Sequence, residues 1–331
     1  MTKRKLHLSS GINETMMSRR RQGDACGLEK PLPRQPLFVD YMRELIEQLR
    51  LQGRYGTAKN YEKALRVFTK FMGSNEFPLA AISSRTMVEF NSYLLRRGLL
   101  RNSISFYMRI LKAVYNKAVR QRFIEQTFPF SEVYTGVDVT RKRAIDEPLL
   151  SRLNSMELPS GTTLALARDI FIFSYCARGM AFVDIAYLLK ADYVNGVINY
   201  TRRKTGQLLV VKVEPNMQRI IERNASPTSR YLFPILTSDD SAEAYQQYLA
   251  ALNNYNYHLG RLSALLNSGC KLTSYTARHS WATAARNHNV PLSVISAGMG
   301  HTSEQTTRIY LAALDNSVID EANRGIIESL G

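Results

Sequence analysis

Near its carboxyl end the chain reads Ser-Tyr-Thr-Ala-Arg-His-Ser-Trp-Ala-Thr (274–283), then Val-Pro-Leu-Ser-Val-Ile-Ser-Ala-Gly-Met-Gly-His-Thr (290–302), then Thr-Thr-Arg-Ile-Tyr-Leu (306–311). Three side chains in these motifs suit chemistry at a phosphate. Arg278 offers a planar fork of donors that can grip a phosphate. His301 can donate a hydrogen bond or a proton, and Tyr310 is a hydroxyl nucleophile.

The local pattern around these residues predicts helices separated by short loops. Ser274 is expected to cap a helix over residues 277–286, which places Arg278 in the first turn. Free backbone N–H groups and the helix dipole favour an anion there. Pro291 predicts the start of a second short helix, which glycines end just before His301.

The combination resembles the tyrosine recombinases, the phage-integrase family. Their signature is an early Arg, a Lys on a hairpin, a His-x-x-Arg box, a Gly-His box and a Tyr nine residues later. Arg278 matches the second Arg, His301 the Gly-His box and Tyr310 the nucleophile. The resemblance covers residues 35–331. It implies a mainly α fold with a small β-sheet, in which a helical, SAM-like core-binding domain precedes a mixed α/β catalytic domain.

An upstream Arg matches the first part of the signature. Arg178 lies in Ala-Arg-Gly-Met-Ala-Phe-Val-Asp-Ile, directly after an apolar helix predicted over residues 162–176. Taken alone, an Arg after a helix is most often a partner of the helix dipole. The resemblance instead assigns Arg178 to the scissile phosphate.

A predicted hairpin supplies the Lys of the signature. Two strands, over residues 193–200 and 207–213, flank Arg-Arg-Lys-Thr-Gly, with Gly at the turn. Lys204 precedes the Thr-Gly pair, as the hairpin Lys of the family does. Its neighbours Arg202 and Arg203 are alternative phosphate contacts.

One position departs from the family pattern. The His-x-x-Arg box here begins with Tyr275. A tyrosine can hydrogen-bond to a phosphate, but it is a poor base near neutral pH because its reference pKa is about 10. We keep Tyr275 as a candidate site residue without a general-base role. His279, four residues later, points about 100° away from the Arg278 direction and does not replace it.

Basic charge is concentrated in the first half of the chain. The 331 residues include 44 Lys and Arg against 28 Asp and Glu, a net charge of +16, and +14 of it falls in residues 1–142. Such a surplus suits a polyanionic partner, most commonly nucleic acid. A basic protein without such a partner is the alternative on charge alone.

Other features exclude several classes of protein. Cys26, Cys176 and Cys270 have neither CxxC spacing nor paired histidines, so neither a disulfide framework nor a zinc site is predicted. No apolar run is long enough for a membrane span, and the basic N-terminus lacks the apolar segment of a secretory signal. We expect a cytoplasmic, nucleoid-associated protein.

Residues 35–125 predict a small helical domain. Apolar spacing predicts helices over residues 38–51, 56–72, 84–97 and 102–122. The second and fourth have basic faces, which would be solvated surface in most proteins. The resemblance suggests that they contact DNA, through Lys59, Lys63, Arg101, Ser105 and Arg109.

The predicted organisation has four parts. Residues 1–34 form a basic tail or linker, 35–125 the core-binding domain, 126–143 a linker with a basic end, and 144–331 the catalytic domain. Residues 1–34 are shorter than the arm-binding domain of many integrases, which favours a simple recombinase. A final amphipathic helix over 316–330 would dock on a neighbouring subunit or on its own domain.

The resemblance implies strand cleavage by transesterification. Tyr310 attacks a phosphodiester, forms a 3′-phosphotyrosyl link and frees a 5′-hydroxyl. Arg178 and Arg278 hold the non-bridging oxygens, His301 adds a hydrogen bond, and Lys204 protonates the leaving oxygen. The link conserves the bond energy, so no metal or other cofactor is expected.

The expected partners are double-stranded DNA with specific recombination sites and further copies of the chain, as a tetramer on DNA. The outcome could be integration, excision or inversion. Two alternatives stay open. One is a DNA-relaxing enzyme of the type IB topoisomerase kind, and the other is a DNA-binding regulator with a weak active site.

Overall fold

Residues 36–138, 144–269, 271–311, 323–324 and 327–328 are described in the structure, a computed structural model; for residues 309–311 only the backbone is described. The helices are α1 (Phe38–Leu51), α2 (Tyr55–Met72), α3 (Ser84–Arg96), α4 (Arg101–Arg120), α5 (Glu147–Ser155), α6 (Thr163–Cys176), α7 (Phe182–Ala186), α8 (Pro215–Asn224), α9 (Ser241–Leu265), α10 (Thr276–Asn287), α11 (Leu292–Gly298) and α12 (Glu304–Leu311). The strands are β1 (Tyr193–Val194), β2 (Val197–Thr201) and β3 (Leu208–Lys212). The predicted mainly helical fold with a small sheet is therefore confirmed.

Helices α1 to α4 pack around one apolar core. Each buries the face that its apolar periodicity predicts, and the bounds agree with the prediction to within two residues. Aromatic rings fill the centre, where Phe68 makes edge-on contacts with Phe38 and Phe90. This core extends past residue 125, the predicted end of the domain, because Phe130 is buried in it.

A second core begins at Ile145 and surrounds the apolar helix α6. Helices α8, α9 and α10 pack against α6, which explains why its sequence is apolar on nearly every side. Thr162 caps α6 by accepting a hydrogen bond from the N–H of Ala165. This core holds α10 in place and, at the end of α6, the loop that contains Arg178.

The sheet differs from the predicted pair of strands. It is antiparallel in the order β1-β2-β3, because the strand predicted over residues 193–200 is broken by Asn195 and Gly196. Both have positive φ, 52° and 75°, as a two-residue Asn-Gly hairpin requires. The β2–β3 hairpin that carries Lys204 forms as predicted, with Thr201 opposite Leu208 at its end.

The segments that follow lead into the site. Helix α10 begins at Thr276 with Tyr275 at the N-cap, so the predicted cap at Ser274 is wrong by one residue. The hydroxyl of Thr276 instead accepts the N–H of Thr273, at 2.9 Å.

Of the predicted final helix, residues 323–324 and 327–328 are helical and exposed. The rest of that helix lies outside the described residues, as do residues 1–35 and 139–143.

The two cores also meet through side chains far apart in sequence. The hydroxyl of Tyr55, at the start of α2, lies 2.8 Å from Oγ of Ser241, at the start of α9. The ring of Tyr55 stacks on that of Tyr245, with centroids 5.5 Å apart.

Within the described residues, no helix combines the length and apolar character that a membrane span needs.

Candidate active site

Arg178 occupies a strained backbone position at the end of α6. Ala177 is the C-cap, and Arg178 and Gly179 follow with φ of +59° and +71°. A residue with a Cβ pays about 1–2 kcal/mol in this left-handed region, where glycine is usual. Strain of this kind is typical of functional sites. The Arg178 side chain runs beside α11, since a Cβ on Gly298 would lie 3.5 Å from its Cδ.

Arg278 lies in the first turn of α10, as the sequence predicts, and the structure shows that it is buried there. Its Nη1 donates to the carbonyl of Gly179 at 2.7 Å, and its Nη2 donates to that of Met299 at 2.6 Å. The same Nη2 lies 3.1 Å from Nε2 of His301. Two loops and α10 therefore converge on one guanidinium and fix its plane.

Gly179 is needed for this convergence. A Cβ at that position would come within 2.8 Å of the Arg278 Cα and 2.9 Å of its Cγ. The loop that contains Arg178 can therefore approach α10 only if residue 179 has no side chain. The Arg-Gly pair in the sequence combines a functional side chain with a position of close packing.

His301 is held from both sides of its ring. It follows Gly300, which has φ +62°, and its N–H donates to the carbonyl of Ser296 at 3.0 Å. Its Nδ1 lies 2.8 Å from Oγ1 of Thr307, on α12. Burial, together with the positive charges of Arg278, Arg202 and Lys204, lowers the pKa of His301 to about 4. The imidazole is therefore neutral near pH 7.

Thr307 ties the histidine loop to the helix that carries Tyr310. It is fully buried and lies on α12, three residues before Tyr310. Sequence analysis missed its role, because a threonine on a helix gives no sign that its hydroxyl will meet a ring from another loop. The structure places Tyr310 on the predicted third helical stretch.

Two basic residues of the β2–β3 hairpin, Lys204 and Arg202, differ in their exposure to solvent. Lys204 lies on the exposed turn, and its positive charge is one of those that lower the pKa of His301. Arg202, predicted as a DNA contact, is buried and donates from Nη1 to the carbonyl of Gly300. A surface contact between Arg202 and DNA is therefore not supported, because its guanidinium is used inside the protein.

Arg203 is exposed and remains available to DNA. Its guanidinium stacks on the ring of Tyr187, 3.7 Å from the centroid, and its N–H donates to Asp184 at 2.9 Å. Burial raises the pKa of Asp184, although that N–H and the charges of Arg202 and Arg278 oppose the shift. The Asp184 carboxylate therefore holds the backbone of the hairpin turn at Arg203.

Tyr275 stands at the N-cap of α10, three residues before Arg278. Its side chain is 58% exposed, and its ring centroid lies 6.5 Å from that of His279. The residue that replaces the histidine of the family box is thus on the surface beside the site rather than packed within it.

The predicted DNA contacts of the N-terminal domain fall into two groups. Lys59, Lys63, Arg101 and Arg109 are exposed. Ser105 is fully buried and donates to the carbonyl of Gly136, so it is withdrawn as a DNA contact.

Arg101 is partly engaged inside the chain. Its guanidinium lies 3.8 Å from the centroid of the Tyr134 ring and 3.5 Å from a carboxylate oxygen of Asp138. A phosphate would compete with that carboxylate for the guanidinium. Arg101 is therefore a weaker candidate than the exposed lysines of α2.

A basic pocket of about 490 Å³ lies between α2, α3 and α4. Its lining has no acidic residue and consists of Lys63, Arg66, Val67, Lys70, Arg97, Leu99, Ser103 and Tyr107. The basic face predicted for α2 supplies Lys63, Arg66 and Lys70 to this pocket. It missed Arg97, which comes from the end of α3 and joins the others only in three dimensions.

The described residues contain no group of three or more His, Cys, Asp or Glu side chains arranged to hold a metal ion. The charged groups that converge at Arg278 and His301 are mostly cations. Such a set attracts an anion with several oxygens, such as a phosphodiester.

Two protein-family models match this chain, one in each half. Residues 37–133 match the phage integrase SAM-like domain, and residues 189–317 match the phage integrase family. No curated protein matches the sequence.

Solved structures share the fold at low sequence identity. The Tn1549 transposon integrase in complex with transposon right end DNA is 16% identical, with a TM-score of 0.60 over 86% of this chain and 98% of that one. A lambda integrase dimer bound to a COC′ core site is 12% identical, with a TM-score of 0.57 over 82% and 94%. A lambda integrase tetramer bound to a Holliday junction is 12% identical, with a TM-score of 0.57 over 83% and 77%.

Proposed function

Because this chain belongs to the phage integrase family of tyrosine-type site-specific recombinases, we propose that it cuts DNA with Tyr310 and exchanges strands between two specific sites. One observation carries the proposal. Arg278 lies 3.1 Å from His301, and His301 is hydrogen-bonded through Thr307 to the helix that contains Tyr310. A phosphate bound by the first two residues would be next to the helix of the third.

Each residue has one task at the phosphate. Arg178 and Arg278 bind the two non-bridging oxygens and stabilise the charge that builds up in the pentavalent state. The Tyr310 oxygen forms a bond to phosphorus as the bond to the 5′-oxygen breaks. Lys204 gives a proton to that leaving oxygen.

The phenolic proton of Tyr310 needs an acceptor. His301 is neutral, since its pKa is lowered to about 4, so its ring can accept a hydrogen bond or a proton. Tyr275 cannot take this task near neutral pH, because a phenol is itself protonated there. We therefore assign His301 to the proton of the nucleophile.

Strand exchange reverses the same step. The 5′-hydroxyl of another strand attacks the 3′-phosphotyrosyl bond, takes its place on phosphorus and returns Tyr310 to its free form. The bond energy passes from one ester to the next, so neither ATP nor a metal ion takes part. Integration, excision and inversion differ only in which sites are joined.

The proposed partner is double-stranded DNA, held between the two halves of the chain. The core-binding half, from residue 35, presents the exposed Lys59 and Lys63, and the catalytic half begins near residue 144. Assembly as a tetramer on two sites follows the lambda integrase tetramer on a Holliday junction. We place the protein with its DNA in the cytoplasm.

An adduct assay tests this proposal. Supercoiled DNA from the source organism is incubated with the wild type or with Tyr310→Phe, and protein-linked fragments are recovered by phenol partition. We expect adducts at defined positions in the wild type and none in Tyr310→Phe, which should still bind DNA. Relaxation with adducts at many positions would favour a topoisomerase. Tight binding without any wild-type adduct would contradict the proposal.

A further inference from the structure

The turn that carries Lys204 is closed by the backbone of Arg202. The Arg202 N–H donates to the carbonyl of Gln207 at 2.8 Å, and its carbonyl accepts the N–H of Gly206 at 2.8 Å. Arg203 and Lys204 on this turn are exposed, whereas the Arg202 side chain is only 6% exposed. Burying a guanidinium is costly unless its donors find acceptors.

The acceptor of Arg202 is the carbonyl of Gly300, directly before His301. Nη1 of Arg202 donates to this oxygen, and the hydroxyl of Thr205 lies 3.5 Å from it. Among the described residues, Arg202 Nε has no acceptor, and the carboxylate of Asp184 interacts with the guanidinium through its charge. The Gly300 carbonyl therefore holds the side chain in place.

The fit between the two segments is close. A Cβ on Gly300 would come within 3.2 Å of the Arg202 Cδ and within 2.8 Å of a methyl carbon of Leu209, on β3. The hairpin therefore rests directly on the loop before His301, with no room for another carbon. Movement of one segment away from the other would have to break the Arg202 hydrogen bond.

We propose that Arg202 is a positioning residue that ties the Lys204 turn to the His301 loop and so aligns the proton donor with the phosphate. This inference rests on the proposed function, because it takes Lys204 as the proton donor. Within the described part of the chain, the Lys204 ammonium makes no hydrogen bond. The Arg203 N–H bond to Asp184 also holds this turn, but it is the Arg202 side chain that joins the turn to the loop before His301.

A change of leaving group separates proton donation from phosphate binding. The substrate is a duplex with the cleavage site recovered from the adduct assay, in which sulfur replaces the bridging 5′-oxygen of the scissile phosphate. A thiolate leaves without a proton, since thiols have a pKa of about 8.5, whereas an alkoxide requires one. A variant that fails only because Lys204 is misplaced should recover on the sulfur substrate.

Arg202→Met preserves much of the side-chain volume and removes the donors. We expect it to cut the oxygen substrate about 100-fold more slowly, the order of loss that a 1 Å misplacement causes. It should cut the sulfur substrate at nearly the wild-type rate, as should Lys204→Ala. Arg278→Lys is the matched negative control, because it alters a phosphate ligand and should not recover on sulfur.

Arg202→Lys is a second variant, for use if the Met protein does not fold. It keeps the positive charge and one donor group, so its loss on oxygen should be smaller and should also be reversed by sulfur. Thermal melting and DNA binding show whether each variant is folded. A loss on both substrates by the folded Arg202 variants, or no loss on either, would overturn the inference.

The experiment distinguishes failure of the proposed function from failure of the inference about Arg202. If the wild type forms no adduct, or if sulfur does not restore Lys204→Ala, then the cleavage role of the site or the proton-donor role of Lys204 is wrong. The inference about Arg202 falls with that premise. If both controls behave as expected, the Arg202 variants alone decide the inference.

Discussion

Nη2 of Arg278 lies 3.1 Å from Nε2 of His301, and Nδ1 of the same ring lies 2.8 Å from Oγ1 of Thr307. A guanidinium can only donate, so Nε2 accepts and the ring proton is on Nδ1, from which it is donated to Thr307. The two contacts fix a neutral imidazole in one tautomer. They also leave Nε2 as the basic atom of the site.

His301 is expected to stay neutral down to about pH 4, because burial and the charges of Arg278, Arg202 and Lys204 oppose its protonation. In the unfolded chain a histidine titrates near 6.5. Between these values the unfolded state binds more protons, so this residue makes folding less stable as the pH falls from about 6.5 to about 4. NMR titration, with His301→Gln to assign the signal, measures the midpoint; a value near 6.5 would disagree with this account.

Arg178 should show a conflict between stability and activity. Its φ of +59° suits glycine better than any residue with a Cβ. Arg178→Gly should therefore have a free energy of unfolding about 0.5–1 kcal/mol above that of Arg178→Ala, the matched variant. Both should lose adduct formation about 100-fold or more. Urea denaturation makes the comparison, and an Ala variant more stable than the Gly variant would argue against the strain.

Gly300→Ala tests the contact between the hairpin and the histidine loop. The new Cβ would meet Leu209 and Arg202 at 2.8 and 3.2 Å, and overpacking of this kind costs about 1–3 kcal/mol. Gly196→Ala is the control, because its φ of +75° carries the same backbone cost while no atom lies within 4 Å. Compared with Gly196→Ala, Gly300→Ala should show a larger loss in the free energy of unfolding and a larger loss in the rate of DNA cleavage. Equal losses would mean that the packing is unimportant.

The basic pocket between α2, α3 and α4 is expected to bind DNA phosphates. Replacing Arg66 or Lys70 by Ala should weaken DNA binding and lower the slope of log K against log salt by about 1 for each lost contact. Arg85→Ala is the control, since Arg85 is exposed on α3 and paired with Glu89. Fluorescence anisotropy at several salt concentrations gives the slopes. Equal slopes for all three variants would place the DNA elsewhere.

Local sequence signals were sufficient for most of the helices. Apolar periodicity and glycines predict α1 to α4 because both act within a few residues. The motif spacing predicts that Arg278 lies in the first turn of α10, His301 just after α11 and Tyr310 on α12. The Asn195-Gly196 pair is a hairpin signal in the sequence, so the prediction of one strand over residues 193–200 is wrong for a reason that is itself local.

The errors at individual residues have another origin. Arg202 is buried because an acceptor lies 98 residues away, at Gly300. Ser105 is buried and donates to the carbonyl of Gly136, 31 residues away, and Thr307 contacts the ring of His301 from another segment. Partners of this kind are created by the tertiary fold, so a basic or hydroxyl side chain cannot be sorted into surface or core from its neighbours in sequence.

The most direct test identifies the atom that becomes linked to DNA. Wild-type adducts formed on the recovered site would be digested with a nuclease and a protease and analysed by mass spectrometry. The account predicts one peptide, containing Tyr310, that carries a 3′-linked nucleotide phosphate on the phenolic oxygen. The modification on any other of the 18 tyrosines, or on no tyrosine at all, would contradict it.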